Sequence, residues 1–411
     1  MERSERTARW LVDEGLAFVA SCADDLAAGS ELSAATALRA RGLTADRANL
    51  VVDVAAARLR ARGRWPDADV LLFTREALEQ ASDPVVSSWR AHRLASAGAG
   101  SLWDLCAGVG GDALELARHG SVEAVDRDPV RAVLLTHNAR VLARLVHARV
   151  ADVRSVTVEP GARVHVDPGR RDGDRRLRRL AELVPPVDTL IERFGPDVTA
   201  SGSLAIALPP AVALEDPVLT EHASVAQIEF LQVGATLVEA VLWLGAVVER
   251  PDVRATLLSR DAPPLVRTRA GEPASLAAGP VGGVLVDVAP AAVRARLHTQ
   301  IGQEIDARRV DERRALLTCD AIPPPSPWYR RRHVEAVLPV RGRRVREWLR
   351  QADERPVEIV LHGVDGTDSS WWERFGRPAR GPAGRRAEVV RTSTGAEVIM
   401  TVSIGDEPTQ P

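Results

Sequence analysis

The fold is decided by residues 102–117, LWDLCAGVGGDALELA. A short apolar run reads as a strand, a glycine-rich turn follows it, and DALELA reads as the start of a helix. Gly108 and Gly110 let the backbone turn tightly and approach a ligand closely. The helix points its free N–H groups and the positive end of its dipole back at the turn. This arrangement cradles a nucleotide, but several kinds of nucleotide fit it.

Strands and helices alternate downstream of the turn, which is the pattern of a parallel, doubly wound sheet. VEAVD predicts a second strand, PVRAVLLTHNARVLA a helix with Pro129 in its first turn, and VHVD and SLAIALPP two further strands. Asp126 ends the second strand, where a carboxylate can accept hydrogen bonds from both hydroxyls of a ribose. We therefore predict an α/β fold built on a Rossmann-like sheet.

Acidic residues around the turn narrow the choice of nucleotide. Gly108, Gly110 and Ala113 also satisfy the permissive dinucleotide pattern, so an NAD-dependent oxidoreductase is one alternative. Asp104 and Asp112 flank the turn, however, and carboxylates there disfavour a pyrophosphate and favour an ammonium group. Acids also follow the third and fourth strands, at Asp152 and at Asp167, and one of them is well placed to accept from an adenine amino group. These acids suit a ligand with one adenosine and a cationic tail, such as S-adenosylmethionine (SAM).

The motifs DLCAGVGGDALELA, VEAVDRDP and HVDPGRR resemble those of class I SAM-dependent methyltransferases. From about residue 70 onward the chain is most similar to a bacterial group with a THUMP-like C-terminal domain. That group is in turn similar to the trimethylguanosine-synthase type of RNA guanine-N2 methyltransferase. The segments FTREALEQAS, LVEAVLW and VEIVLHGV also resemble it. The resemblance implies SAM as cofactor and RNA, either transfer or ribosomal, as substrate.

The same resemblance implies roles for single residues. Asp104 would hold the amino end of SAM, Asp126 its ribose and Asp152 its adenine amino group. The glycines Gly108, Gly110 and Gly111 would line its methionine part. The other residues expected at the cofactor are Cys106, Ala107, Asp112 and Arg127.

Asp167 and Pro168 match the start of the (D/N/S)-P-P-(aromatic) motif of amino-group methyltransferases. There the acid and a neighbouring carbonyl accept hydrogen bonds from the target amino group and hold its nitrogen in line with the methyl group. The chain departs from the motif at Gly169 and at Arg170, where an aromatic residue normally stacks on the base. Arg170 or Arg171 would contact the substrate instead through a guanidinium plane, and Trp89 is another source of an aromatic ring.

Arginines cluster next to this acid. Residues 168–179, PGRRDGDRRLRR, hold six of them, which predicts either a site for RNA phosphates or a solvated face. The segment WYRRRH, residues 328–333, predicts either an RNA platform or a buried aromatic pair at a domain joint. We expect Trp371 and Trp372 in a core.

The pattern divides the chain into three parts: a helical region over 1–75, the methyltransferase domain over 76–280, and a linker helix with a small THUMP-like α+β domain over 281–405. Thr74 is expected to cap a helix, and SSWRAHRLASAGAG reads as a turn of small residues before the first strand. Residues 290–310 read as a helix, and AEVVRTSTGAEVIMTVSI as a β-hairpin.

Composition bounds the remaining possibilities. The 411 residues are 45% apolar and carry a net charge of -2, so the whole-chain charge favours no partner. Three widely spaced cysteines predict no disulfide framework and fit a reducing cytoplasm. The first residues lack a signal-peptide pattern, the longest apolar run contains Glu239 and is too short to span a bilayer, and the histidines lack metal-ligand spacing. We expect a cytoplasmic protein without a membrane or metal partner, and the sequence predicts no oligomeric state.

The predicted reaction moves a methyl group from SAM to an amino nitrogen of a base in RNA. One alternative keeps the enzyme class and places the acceptor on a small molecule or a protein. Another is a SAM-binding RNA-binding protein without turnover, which the departure at Gly169 and Arg170 would produce.

Overall fold

The computed structural model describes residues 2–172, 175–176, 179–198, 202–269, 271, 275–340, 342–351, 358–375, 385–392 and 395–405. None of the helices within these ranges combines the length and the apolar character needed to cross a membrane.

Within the described residues, the α-helices lie between Glu2 and Phe375. Their bounds are α1 Glu2–Trp10, α2 Leu16–Ala28, α3 Glu31–Ala40, α4 Ala45–Ala61, α5 Arg75–Gln80, α6 Pro84–Ser96, α7 Ala113–Leu116, α8 Pro129–Val141, α9 Val187–Val198, α10 Pro217–Glu221, α11 Pro290–Arg294, α12 His298–Glu304, α13 Gly342–Gln351 and α14 Asp368–Phe375.

Strands begin after α6 and continue to the end of the described chain. Their bounds are β1 Leu102–Leu105, β2 Val122–Asp126, β3 Val146–Val150, β4 Arg163–Val166, β5 Arg171–Asp172, β6 Arg175–Arg176, β7 Ser203–Leu208, β8 Gln227–Val233, β9 Thr236–Gly245, β10 Asp252–Leu258, β11 Leu265–Thr268, β12 Val284–Val288, β13 Arg308–Arg309, β14 Leu317–Cys319, β15 Tyr329–Pro339, β16 Glu358–His362, β17 Arg385–Thr392 and β18 Gly395–Ser403.

The chain folds into two compact units. The first comprises Met1–Glu229 and Glu239–Asp252, and the second comprises Phe230–Val238 and Val253–Pro411. The helices of residues 2–61 therefore share a unit with β1–β4 and β7. The predicted division into three parts stays a prediction.

The sheet of the first unit has the strand order β9–β7–β4–β1–β2–β3. Strand β1 pairs in parallel with both β2 and β4, and β4 pairs in parallel with β7. The C-terminal part of β9 closes this side as an antiparallel strand, with Ser203 opposite Gly245. Successive strands thus turn to opposite sides of β1. In such sheets, ligands bind outside the carboxyl ends of the strands at this switch point. The alternating pattern of the sequence predicted this α/β sheet, and the structure confirms it.

The N-terminal helices pack against the side of the sheet that carries the glycine turn. Val51 of α4, together with Leu71 and Phe73 of the segment between α4 and α5, belongs to one core cluster with Val109 of the turn and Leu134 of α8. Thr74 caps α5 as predicted, because its hydroxyl accepts from the backbone N–H of Ala77. The turn and α8 are therefore fixed by apolar packing as well as by the sheet.

The second unit contains a seven-stranded sheet of order β13–β14–β12–β15–β18–β17–β16. Val389 and Met400 face the cluster that holds α13 and α14, whereas Val390 and Ile399 face a second cluster. This alternation covers both faces of the β17–β18 pair. Trp371 is buried and Trp372 packs partly buried in the first cluster, as expected. The predicted hairpin is present as the antiparallel pair β17–β18, although Ser393 and Thr394 at its tip lie outside the described residues.

Two local predictions were wrong, and for a third segment, WYRRRH, the structure favours the buried alternative over the RNA platform. SSWRAHRLAS forms most of α6 rather than a turn, because Asp83 caps the helix and Pro84 occupies its first turn. The expected helix over 290–310 is interrupted at Arg296, whose φ is +60°, and ends before the short strand β13. WYRRRH enters β15 with Tyr329, Arg331 and Arg332 buried, so those three side chains cannot form an exposed platform for RNA.

Candidate functional site

The glycine turn leaves β1 through residues in the left-handed region of φ and ψ. Cys106 has a φ of +63°, Gly108 of +56° and Gly110 of +101°. A Cβ at Gly110 would lie 2.3 Å from Cδ1 of Leu135, whereas a Cβ at Gly108 would meet no atom within 4 Å. Gly110 is thus required by packing, and the space beside Gly108 is open to a ligand. Burial raises the pKa of the Cys106 thiol, which fits a packing residue rather than a nucleophile.

Asp126 ends β2 and fastens the turn. Its Oδ2 accepts from the backbone N–H of Gly108 at 2.8 Å, and its Oδ1 accepts from the N–H of Asp128 at 2.9 Å. Ala107 also donates its N–H to the carbonyl of Val125 at 3.0 Å. Each oxygen of Asp126 keeps a further lone pair for a ribose hydroxyl. Arg127, the next residue, is exposed.

Asp104 lies in the middle of β1, directly opposite His165 of β4. Nδ1 of His165 is 2.8 Å from Oδ1 of Asp104, and each side chain is 1% exposed. Burial raises the pKa of Asp104 to about 6, although its bond to His165 acts in the opposite direction. Burial lowers the pKa of His165, but the carboxylates of Asp112 and Asp104 outweigh it and raise the pKa overall.

Arg90 of α6 is the centre of a buried charge cluster. Its Nε donates to Oδ1 of Asp112 at 3.0 Å, one Nη donates to the hydroxyl of Ser82 at 2.6 Å, and the other pairs with Glu239 of β9. Burial lowers the pKa of Arg90, but Asp112 and Glu239 outweigh it and raise the pKa, so the guanidinium stays charged. Burial opposes ionisation of both acids. At Asp112 the attraction of Arg90 outweighs burial and lowers the pKa, whereas at Glu239 burial outweighs Arg90 and the pKa is raised.

Asp167 follows β4 and lies beside β1, because its backbone N–H donates to the carbonyl of Leu105 at 3.3 Å. Pro168 is buried, and Asp167 is partly exposed. One Nη of Arg170 lies 3.4 Å from Oδ1 of Asp167 and 3.5 Å from Oε2 of Glu239. The side chain of Arg171 lies outside the described part of the structure.

The remaining predicted residues are held by other contacts. Asp152 caps a short 3-10 turn and pairs with Arg154, whose hydrogen bonds lower the pKa of Asp152 to about 2. Its side chain is 44% exposed, so it is accessible to a ligand. The indole N–H of Trp89 donates to Glu229 at 3.1 Å. Gly111 packs near Ser82 and Trp65.

The structure therefore joins acids that the sequence places far apart. Arg90 connects Asp112 at the turn to Glu239, and Arg170 connects Glu239 to Asp167. Sequence reasoning missed Arg90, His165 and Glu239 as members of the site. The one available signal for Glu239 was an acid within the apolar run 237–248, and for His165 its place two residues before Asp167. Among the side chains described, no group of three or more His, Cys, Asp or Glu residues is arranged to hold a metal ion.

Comparison with known proteins gives relatives for most of the chain. Two uncharacterized S-adenosylmethionine-dependent methyltransferases, from Mycobacterium tuberculosis strains CDC 1551 and H37Rv, are 31% identical over 332 residues, which is 78% of this chain and 86% of each relative. A crystal structure of a candidate methyltransferase from Porphyromonas gingivalis W83 matches 89% of this chain and 92% of its own with a TM-score of 0.71. Its sequence is 17% identical, so this likeness concerns the fold. No family model matches the chain.

Proposed function

This chain belongs to the class I SAM-dependent methyltransferases, and from that premise we propose that its acceptor is an exocyclic amino nitrogen of a base in RNA. SAM is the cofactor, and it supplies an electrophilic methyl group on a sulfonium sulfur.

The described residues fit the cofactor. Oδ2 of Asp104 is buried and has no hydrogen-bond partner among them, so it can accept from the ammonium group of SAM. The open space beside Gly108 leaves room for the methionine part, and Asp126 lies at the end of the next strand for the ribose. Asp152 would accept from the adenine amino group. The further residues proposed around the cofactor are Cys106, Ala107, Gly110, Gly111, Asp112 and Arg127.

The observation that carries the choice of acceptor is the position of Arg170. One of its planar N–H groups lies between the carboxylates of Asp167 and Glu239, at 3.4 Å and 3.5 Å. An amino group on a planar base offers the same kind of donor, so it could take this place when Arg170 moves aside. Asp167 and the carbonyl of Pro168 would then orient the nitrogen lone pair, and such positioning contributes much of the rate in transfer reactions.

Two features support RNA as the carrier of that amino group. The resemblance of the motifs to RNA methyltransferases is one. The other is the run of six arginines that begins at Arg170, next to the acid that would orient the acceptor. We also propose that the C-terminal part, residues 281–405, is THUMP-like and grips the RNA.

Transfer of labelled methyl from SAM to total RNA tests the proposal. The RNA comes from a strain that lacks this gene, and the wild type is compared with Asp167→Ala and with Asp24→Ala, an exposed acid on α2. We expect label in RNA with the wild type and Asp24→Ala, and a loss of at least about a hundredfold with Asp167→Ala. Added salt should reduce the rate, because phosphate contacts weaken as counterions compete.

Label in a small molecule or a protein, but not in RNA, would overturn the substrate assignment and keep the enzyme class. SAM binding without label in any acceptor would identify a binding protein in which Arg170 permanently fills the acceptor place.

A further inference from the structure

His165 contacts Asp104, the buried acid of β1 that precedes the glycine turn. Strands β1 and β4 pair in register, and this brings His165 opposite Asp104. Nδ1 and Oδ1 are 2.8 Å apart, and both side chains are 1% exposed. A carboxylate has only acceptors to offer, so Nδ1 carries the hydrogen of this bond.

The bond leaves Asp104 with one satisfied and one unsatisfied oxygen. Oδ1 is occupied by His165, while Oδ2 is buried and has no hydrogen-bond partner within the described residues. A buried carboxylate oxygen without a donor is costly, and native structures rarely keep one. The unsatisfied oxygen is thus available for a donor that arrives with a ligand.

We propose that His165 is a positioning residue for SAM: by binding Oδ1 of Asp104, it fixes the carboxylate so that Oδ2 receives the ammonium group of the methionine part. The proposal rests on the assignment of Asp104 to that ammonium group, and it is independent of the acceptor. Failure to methylate RNA would therefore leave it standing.

Charge around the pair supports this role. His165 also experiences the carboxylate of Asp112 and the guanidinium of Arg90, which oppose one another. The same two groups act on Asp104, where Arg90 and His165 both favour the ionised form against burial. Without the imidazole, Asp104 loses a main interaction that opposes the effect of burial on its pKa. The carboxylate then becomes easier to protonate and free to rotate.

The affinities of two ligands distinguish a positioning role of His165 from an effect on the stability of the protein alone. S-adenosylhomocysteine carries the amino-acid part, and methylthioadenosine lacks it. The variants are His165→Asn, whose amide N–H can stand near the place of Nδ1, and His165→Gln, whose amide reaches the place of Nε2. Dissociation constants are measured by titration calorimetry at about pH 7.5.

We expect His165→Gln to bind S-adenosylhomocysteine about tenfold or more weakly than the wild type, which is the scale of a hydrogen bond to a charged group. Methylthioadenosine should bind within about twofold, and His165→Asn should recover most of the loss. An unchanged affinity in His165→Gln would overturn the proposal. So would an equal loss for both ligands, because that marks a collapsed site.

Discussion

A hydrogen bond joins Gly108 and Asp126 at the carboxyl ends of β1 and β2: the backbone N–H of Gly108 donates to Oδ2 of Asp126 at 2.8 Å. The second oxygen of the same carboxylate accepts from the N–H of Asp128. The acid proposed to bind the ribose therefore also fixes the shape of the glycine turn. If Asp126 binds the ribose as proposed, a change at this position should affect cofactor binding and the turn together.

Asp126→Asn is expected to be as harmful as Asp126→Ala. Both oxygens of Asp126 face backbone N–H groups, so an amide must direct its own N–H at one of them. We expect affinity for S-adenosylhomocysteine to fall about tenfold in both variants. Asp128→Asn is the control, because Asp128 caps α8 through one oxygen and Asn caps helices equally well. Calorimetry that finds normal binding in Asp126→Asn would contradict the double role of the carboxylate.

Alanine substitutions at Gly108 and at Gly110 should affect different properties: cofactor binding at Gly108 and folding stability at Gly110. Both residues have positive φ, so each substitution strains the backbone by about 1 kcal/mol. Gly108→Ala should lose little more stability, yet bind S-adenosylhomocysteine poorly, because its Cβ enters the open space of the turn. Gly110→Ala should unfold more easily by a further ~1–3 kcal/mol, because its Cβ overlaps Leu135.

Urea unfolding and ligand titration check both glycine variants. Replacing Leu135 by Ala in the Gly110→Ala chain removes the overlapping atom, so the double variant should lose less than the sum of the two single losses. Tight cofactor binding by Gly108→Ala would contradict the assignment of that space.

Binding of S-adenosylhomocysteine should weaken as the solution is acidified. Burial raises the pKa of Asp104 to about 6, so the carboxylate becomes neutral below that pH and attracts the ammonium group less. Methylthioadenosine has no ammonium group, and its affinity should stay level between about pH 8 and pH 5. Asp104→Asn should bind S-adenosylhomocysteine weakly across the whole range. An acid-induced loss that is equal for the two ligands would assign the effect to another group.

Arg90→Met is expected to destabilise the first unit by about 3–5 kcal/mol, because Asp112 and Glu239 are left buried without a cation. The triple variant Arg90→Met, Asp112→Asn, Glu239→Gln should recover a large part of that loss, since it removes both orphaned charges. The free energy of unfolding in urea measures each step. Equal stability of the single and triple variants would show that the three charges do not depend on one another.

The sequence was sufficient for features that depend on neighbouring residues. Alternating strands and helices, the turn at Gly108 and Gly110 and the cap at Thr74 follow from short patterns, and the structure confirms them. Helix α6 was not predicted, because its small residues were interpreted as a turn and the cap at Asp83 was not recognised. Contacts between distant residues were not predictable in this way. Arg90 and Glu239 are 149 positions apart, and their pairing depends on where β9 adds to the sheet.

The cluster around Arg90 has a consequence for the inheritance of this site. A descendant chain that exchanges Arg90 for a neutral residue keeps two buried acids without compensation, whereas one that first loses an acid keeps Arg90 paired with the remaining acid. Loss of Arg90 while both acids remain is therefore the most harmful first step, while the complete exchange is tolerable. Among descendants of this chain, Arg90 should therefore be replaced only where Asp112 or Glu239 has also been replaced, so the identities at these three positions are not inherited independently.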